Sequence, residues 1–240
     1  MIRRVGALLA TVLGAGAAWA GPPYVTDDPQ PTDLGKWEIY AFGTGTSFAH
    51  TTEGATGLDI NYGAAKDLQA SAVVEVDHAG GRSGFGDLEL GLKYRILHQH
   101  DGSWMPDVAL FPKLDLPTAR HGFGSGHADA ILPIWAQKDF GPWALFGGGE
   151  YVVNPGAGNR DWTLEGIALA RDIGRKWNLG AELYHQSSDS DDGRSTTGLG
   201  LGITYALSEK WSLIGSGGPL IEHRSTAGRY AFYLALAFHN

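Results

Sequence analysis

Apolar and polar residues alternate along most of the chain, and this alternation predicts β-strands. In GDLELGLKYRI, residues 86–96, every second residue from Leu88 to Ile96 is large and apolar, and most of the others are charged or glycine. A period of two places the two sets on opposite faces of a strand. The pattern recurs in residues 177–184, 198–205 and 230–238. Each predicted strand therefore has an apolar face that must contact either a protein core or lipid.

The alternation predicts about twelve consecutive strands. We place them at residues 36–48, 55–64, 68–78, 85–97, 105–116, 128–138, 143–154, 161–172, 176–187, 195–207, 210–217 and 228–239. Most are long enough to cross a bilayer at a tilt, which takes about 10 residues per strand. An even number of strands returns both ends of the chain to the same side of a membrane.

The predicted connections fall into two alternating classes. Short turns lie at residues 65–67, 139–141, 174–176 and 208–210. Longer loops rich in Gly, Asp and Ser lie at residues 50–54, 78–84, 117–127, 154–160, 187–194 and 217–228. Short periplasmic turns and longer extracellular loops are typical of an antiparallel transmembrane β-barrel. The sequence therefore favours lipid as the environment of the apolar faces.

Tryptophan recurs at strand starts that follow short turns: Trp37, Trp143, Trp177 and Trp211. Outer-membrane barrels carry girdles of aromatic residues at both membrane interfaces. We predict that these four residues form such a girdle at the periplasmic interface. The alternative is that they pack at the strand starts of a soluble sandwich.

The N-terminus predicts export. Arg3 and Arg4 precede the apolar run VGALLATVLGAGAA (5–18), and Ala18-Trp19-Ala20 fits a signal-peptidase site. We predict a signal peptide at residues 1–20, a Pro-rich irregular periplasmic segment at 21–35 and an outer-membrane β-barrel at 36–240.

Composition and charge exclude several classes of structure and function. The chain has no Cys, which excludes disulfides and thiolate metal sites. Its formal charge is −8, and an acidic exported protein with no basic stripe is not expected to bind nucleic acid. No later segment has the 18 or so consecutive apolar residues of a transmembrane helix.

Four stretches resemble one family: TDDP (26–29), GDLELGLKYRI (86–96), LGAELYHQ (179–186) and YAFYLALAF (230–238). The family is the outer-membrane transporter family named for the meta-pathway of phenol degradation. The resemblance implies a barrel of about twelve strands that passes hydrophobic or aromatic compounds. It supplies no catalytic or binding residues.

Strand parity predicts a lumen lined by ionisable residues of both signs. The predicted lumen-lining residues are Glu75, Asp87, Glu89, Lys93, Arg95, Lys113, Asp115, Glu150, Glu165, Arg171 and Glu182. They could line a path for a solute, or pair with one another and close the interior. A barrel of twelve strands lies between small side-chain-filled barrels and open porins of 16 strands or more, so its size allows both.

The sharpest catalytic candidate is His185 with Ser187 in YHQSSDS, because residues two apart share one face of a strand. The spacing resembles the His-x-Ser element of outer-membrane phospholipase A and lipid A deacylases, in which a serine at the rim attacks lipid esters. Catalysis also needs a polar group that orients the histidine. Position 199 is Leu, and Thr197 is the nearest polar residue of the same parity. His98 and His100 could form half of a metal site, without further ligands.

We therefore predict an outer-membrane β-barrel that carries small, hydrophobic or aromatic solutes and is not an enzyme. The alternatives are an outer-leaflet lipid hydrolase that uses His185 and Ser187, and a closed structural barrel. No cofactor or metal is predicted. The expected partners are outer-membrane lipid and lipopolysaccharide, the barrel-assembly machinery and the solute. The Pro-rich segment is a candidate gate for the periplasmic end.

Overall fold

The computed structural model describes residues 23–48, 51–120, 123–221 and 229–240. The predicted signal peptide lies outside these residues. The strands are β1 (Trp37–Ser47), β2 (Thr52–Ala65), β3 (Leu68–Ala79), β4 (Arg82–Phe85), β5 (Leu88–Leu97), β6 (Asp107–Leu110), β7 (Lys113–Leu116), β8 (Asp129–Phe140), β9 (Trp143–Val153), β10 (Trp162–Ile173), β11 (Trp177–Gln186), β12 (Thr196–Ala206), β13 (Trp211–Pro219) and β14 (Tyr230–His239).

The strands form one closed antiparallel barrel. Apart from the couples β4/β5 and β6/β7, each strand pairs with its neighbours in sequence, and β1 pairs with β14 from Glu38↔His239 to Ser47↔Tyr230. β4 and β5 both pair with β3. β6 and β7 both pair with β5 on one side and with β8 on the other. Each couple is therefore one interrupted barrel strand. The fourteen segments thus make twelve barrel strands. The predicted fold class is confirmed.

Two predicted strands are interrupted, and two predicted loops are shorter than expected. The strand predicted at 85–97 breaks at Gly86-Asp87, and the one predicted at 105–116 breaks at Phe111-Pro112. Proline has no N–H to donate to a neighbouring strand, which accounts for the second break. The loop predicted at 78–84 is a tight turn in which Gly80 and Gly81 have φ of 58° and 73°. The loop predicted at 50–54 is shortened because β2 already begins at Thr52.

The two ends of the barrel differ. The turn end carries the short connections 66–67, 141–142, 174–176 and 207–210, and also residues 33–36 before β1. The loop end carries the connections 117–128, 154–161 and 187–195. Assignment of the turn end to the periplasm remains a prediction from the usual architecture of such barrels.

The outer surface of the barrel is apolar. Large side chains on outward positions are widely exposed; Leu92, Ile167 and Leu201 are 51%, 53% and 71% exposed. Soluble monomers rarely expose contiguous apolar patches beyond a few hundred Å². A closed barrel with such a surface belongs in a bilayer. Within the described ranges, no helix is long and apolar enough to cross a membrane.

An aromatic belt surrounds part of the turn end. Trp37, Trp143, Trp177 and Trp211 begin β1, β9, β11 and β13, so all four lie at this end, and each is about two-fifths exposed. Each directly faces another aromatic residue on the neighbouring strand; the four pairs are Trp37↔Tyr62, Trp143↔Phe140, Trp177↔Tyr205 and Trp211↔Phe238. This is the arrangement expected of an interface girdle, and its depth in the membrane remains a prediction.

Candidate functional site: the barrel interior

Residues 23–35, here called the inner segment, form no strand and cross the barrel interior. The segment leaves β1 at the turn end, where Gly35 N–H donates to the Gly63 carbonyl at 2.8 Å. A Cβ on Gly63 would lie 1.9 Å from the Asp33 carbonyl oxygen, so only glycine permits this approach. From there the segment contacts inward side chains on opposite sides of the barrel. The segment predicted as periplasmic therefore lies within the lumen.

One side of the barrel holds the inner segment through a buried lysine. Lys93 Nζ on β5 lies 3.0 Å from an Asp27 carboxylate oxygen and donates to the Asp28 carbonyl oxygen at 2.9 Å. Lys93 is 4% exposed. Farther along the segment, the Thr32 N–H donates to Gln69 Oε1 on β3 at 2.8 Å. An ammonium removed from water needs such partners, and here the inner segment supplies them.

The opposite side of the barrel holds the segment through a carboxylate. Glu182 on β11 accepts hydrogen bonds from the backbone N–H groups of Val25 at 3.2 Å and Thr26 at 3.0 Å. Glu182 is 5% exposed. The Ser216 hydroxyl on β13 also donates to the Pro23 carbonyl oxygen. The segment is thus anchored to a cation on one side of the lumen and to an anion on the other.

Glycines on β10 and β12 make room for the inner segment. A Cβ on Gly166 would lie 2.1 Å from Thr26 Oγ1, and a Cβ on Gly202 would lie 2.4 Å from the ring of Tyr24. The Tyr24 ring also packs against Phe146, with a centroid distance of 5.6 Å. This glycine cradle, Gly166 and Gly202, is shaped to the two side chains that it receives.

A polar cluster closes the turn end beside the segment. Arg95 donates to Asp67 Oδ1 at 2.7 Å and also to Gln30, whose Nε2 donates to Asp107 Oδ2 at 3.0 Å. His98 Nε2 lies 2.8 Å from Asp67 Oδ1. Burial acts to raise the pKa of Asp67, but hydrogen bonds from Arg95 and His98 outweigh it and lower the pKa below its usual value.

The lumen has a charged side and a neutral side. The charged wall is the inward face of β3–β9; its ionisable residues beyond the turn-end cluster are Glu75, Asp77, Asp87, Glu89, Lys93, Lys113, Asp115, Asp129 and Glu150. The neutral wall is the inward face of β10–β14. Its residues between the two ends are mostly small or apolar, such as Gly166, Ala168, Gly202 and Ala235, with Glu182 bound to the inner segment.

Nine of the eleven predicted lumen residues face inward, and two do not. Glu165 and Arg171 alternate with Leu164, Ala168 and Ala170, which are buried inside the barrel, and are therefore on the outer face. Arg171 lies over the Trp143 ring at 4.9 Å, at the aromatic belt. The prediction for these two was wrong because it assumed that the charged face of each strand lines the lumen, whereas in β10 the charged residues lie on the outer face. Its inward face is small and apolar where it receives the inner segment, so polarity does not mark the lumen there.

The rim candidates His185 and Ser187 are on the outer face near the loop end. His185 Nδ1 lies 2.8 Å from Thr197 Oγ1, and the Ser187 hydroxyl accepts the Thr163 N–H at 2.8 Å. Both residues thus serve contacts between neighbouring strands. His98, which with His100 could have formed half of a metal site, instead contacts Asp67. In the described part of the chain, no group of three or more His, Cys, Asp or Glu residues forms a metal site.

Several residues of the interior were not predicted from the sequence: Thr26, Asp27, Asp28, Gln30, Gln69 and Asp107. The residues of the inner segment do not alternate between apolar and polar, so no periodic pattern indicates which of them contact the barrel. The available signal was the occurrence of TDDP together with four prolines in residues 21–35, which indicated an extended chain but no binding site. Gln69 and Asp107 do follow strand parity, but they lie at strand starts where boundaries are least certain.

Comparisons with known proteins agree with this architecture. A family model described as "Putative MetA-pathway of phenol degradation" matches residues 17–236. No curated protein sequence matches the chain. An outer membrane channel of Pseudomonas putida F1 shares the fold with a TM-score of 0.71 and 14% identity, over 89% of this chain and 98% of that one.

Two further solved structures share the barrel. The KdgM porin, in complex with disordered oligogalacturonate, has a TM-score of 0.60 and 10% identity, over 84% of this chain and 98% of that one. An active-site mutant of outer membrane phospholipase A from Escherichia coli has a TM-score of 0.51 and 14% identity, over 91% of this chain and 93% of that one. At these identities the similarity establishes the fold.

Proposed function

Since the chain belongs to the phenol-degradation MetA-pathway family, we propose that it is an outer-membrane conduit for small hydrophobic or aromatic solutes, gated by the inner segment. The observation that carries the proposal is the docking of residues 23–35 across the lumen. A barrel with only a structural role would need no such segment, because the side chains of its own strands could fill the interior.

The docking contacts are suited to reversible release. The segment contains no strand and contributes one isolated bridge, Leu34↔Gly63, to the sheet. Its other main anchors are side-chain contacts to Lys93, Glu182 and Gln69. Water can replace these contacts when the segment moves, whereas the pairing of the barrel strands stays intact. The hinge would lie at residues 33–36, where the segment joins β1.

The lumen suits solutes that are partly apolar. Its neutral wall presents Gly, Ala, Tyr and Ile side chains, and its charged wall presents carboxylates and lysines. An aromatic solute could keep its ring against the neutral wall while polar substituents face the charged wall. The family membership supports aromatic compounds as the solute class.

The test is single-channel recording of the mature chain, residues 21–240, in planar bilayers. The double variant Gly166→Ala/Gly202→Ala should release the inner segment, because the new methyl groups meet mainly Thr26 and Tyr24. We expect a larger and longer-lived conductance than in the wild type. The matched control is Gly215→Ala on β13, where the nearest atoms are 3.6 Å from the added Cβ and an ordinary contact results; it should behave as the wild type does.

A deletion of residues 21–35 gives an independent measure of the open lumen. If both the deletion and the double variant insert as folded barrels and remain silent, the lumen has no continuous water-filled path and the gated conduit is wrong. That result would leave the closed structural barrel. The lipid-hydrolase alternative is not favoured, because His185 and Ser187 contact Thr197 and Thr163. Covalent labelling of Ser187 by a fluorophosphonate would instead support the lipid hydrolase.

A further inference from the structure

A cavity of about 200 Å³ lies in the lumen between the inner segment and the charged side of the barrel. The inner segment lines it with Tyr24, Val25, Asp27 and Gln30, and the barrel lines it with inward side chains of β1–β3, β5 and β7 and with Phe111. A dry cavity of about 150 Å³ is large enough for benzene. The cavity can therefore hold a solute that contains one aromatic ring.

The charges around this cavity do not balance. Four carboxylates line it, Asp27, Glu38, Asp59 and Glu89, against two ammonium groups. Lys93 pairs with Asp27 at 3.0 Å, and Lys113 lies 3.4 Å from Glu89. In the described residues neither Glu38 nor Asp59 forms an ion pair with a lysine or arginine, and His239 Nδ1 lies 3.9 Å from Glu38 Oε1. The cavity therefore has two more carboxylates than ammonium groups.

The two excess carboxylates are held in place by neutral donors. Asn61 Nδ2 donates to Asp59 Oδ1 at 2.8 Å, and the Tyr40 hydroxyl donates to Glu38 Oε2 at 3.2 Å. Such hydrogen bonds orient a carboxylate but do not neutralise it. Another polar group at this cavity lacks a partner: the Ser71 hydroxyl belongs to a side chain that is 9% exposed and has no hydrogen-bond partner in the described structure.

The lumen toward the loop end is also acidic. Beyond the cavity, the charged wall carries Glu75, Asp77, Asp115 and Glu150. Its lysines, Lys93 and Lys113, already lie beside Asp27 and Glu89 at the cavity. A cleft lined by one sign of charge between low-dielectric walls concentrates ions of the opposite sign. A positively charged solute would be attracted along this wall to the cavity, and a carboxylate would be repelled.

We propose that this cavity binds an organic cation that carries one aromatic ring, with Asp59 and Glu38 facing its ammonium group. The ring would fill the volume beside Tyr40 and Phe111. Because the Phe111 ring already lies near two ammonium groups, at 4.9 Å from Lys93 Nζ and from Lys113 Nζ, the carboxylates supply the attraction. The inference rests on the proposed function and narrows its solute class to basic aromatic compounds.

The experiment compares three ligands of one shape and different charge: benzylammonium, benzyl alcohol and benzoate. Each is titrated calorimetrically at neutral pH into the detergent-solubilised mature chain. We expect benzylammonium to bind about five- to tenfold more tightly than benzyl alcohol, a modest gain for one partly solvated charge interaction, and benzoate to bind most weakly.

Asp59→Asn keeps the shape of the side chain and an oxygen that can accept from Asn61, and it should remove most of the preference for benzylammonium while leaving benzyl alcohol binding unchanged. The matched control is Asp192→Asn, an exposed loop residue, which should keep the preference. Heat-modifiable mobility on gels reports whether each variant retains the folded barrel. A second variant, Glu38→Gln, should act in the same direction as Asp59→Asn.

Equal affinity for the three ligands, tightest binding of benzoate, or no measurable binding of any ligand would overturn the inference. Retention of the full cation preference in the folded Asp59→Asn/Glu38→Gln double variant would also overturn it. The results that contradict this inference can be distinguished from those that contradict the proposed conduit function. A barrel that conducts after release of the inner segment but shows no cation preference contradicts this inference alone, and a silent barrel that binds benzylammonium contradicts the conduit alone.

Discussion

At the scale of single residues, Asp28 has the environment most sensitive to pH in the inner segment. It is 1% exposed, its Oδ1 accepts the Gln30 N–H at 2.6 Å, and its Oδ2 has no hydrogen-bond partner in the described structure. Burial raises the pKa of Asp28 to about 7; the nearby Lys93 opposes the shift, and Asp27 and Glu38 add to it. The docked segment therefore favours the protonated carboxyl.

This pKa predicts that docking weakens as pH rises. A carboxyl whose pKa is higher in the docked state stabilises that state fully at low pH, and the contribution is lost as pH rises through about 7. We expect single-channel open probability to be greater at pH 8 than at pH 5.5. Asp28→Asn, which resembles the protonated form, should hold the open probability low at both pH values.

Asp33→Asn is the matched control, because Asp33 belongs to the same segment but is exposed. It should keep the pH dependence of the wild type. A wild-type response that survives unchanged in Asp28→Asn would assign the effect to other carboxylates of the lumen and contradict this prediction.

At the scale of elements, the strands of the barrel are joined by side-chain pairs as well as by backbone hydrogen bonds. The aromatic belt shows this most clearly: the Trp177 and Tyr205 rings lie 4.3 Å apart, and those of Trp37 and Tyr62 lie 4.5 Å apart. Directly opposed residues of antiparallel strands interact most strongly, and aromatic pairs add to the burial of their surface. The belt should therefore stabilise the turn end of the barrel.

Removal of one ring of the belt should measurably lower the stability of the barrel. Trp177→Ala should lower the free energy of unfolding by about 1–2 kcal/mol, because it removes both the contact with Tyr205 and an interfacial anchor. Trp177→Phe should recover part of the loss. Equilibrium unfolding in urea from lipid vesicles measures both. Trp104→Ala is the control, since Trp104 is 88% exposed and outside the strands; a loss as large there would show that the aromatic pair is not the cause.

At the scale of the whole molecule, the barrel has an inverted distribution of polarity relative to a soluble protein. Its exposed surface is formed by Leu, Ile, Phe and Trp, whereas Lys93, Gln137 and Glu182 are buried. This inversion is stable only in a bilayer, where burial against lipid replaces burial in a core. The sheet closes on itself through the pairing of β1 with β14, as a membrane-spanning barrel requires.

If the barrel spans a bilayer, the cost of an outward-facing charge should depend on its depth in the membrane. Leu201 lies midway along β12 on the outer face, and Leu201→Arg should lower the free energy of unfolding by about 2–4 kcal/mol, the cost of a cation near the bilayer midplane. Leu207→Arg, in the turn after the same strand, should cost about 1 kcal/mol or less. Folding titrations into vesicles compare the two. Equal costs would argue against the placement of β12 across the bilayer.

The sequence by itself determined the barrel, because strand parity and the alternation of turns and loops are local properties. Nine of the eleven residues that strand parity assigned to the lumen face inward, and the four tryptophans of the belt lie at the turn end. The sequence could not place Glu165 and Arg171, because the polarity of β10 depends on what its inward face receives. The docking of residues 23–35, the pairing of Lys93 with Asp27 and the fit of Thr26 to Gly166 were decided by the tertiary structure alone. These contacts join residues far apart in the chain, between an aperiodic segment and a closed sheet, and no local pattern encodes them.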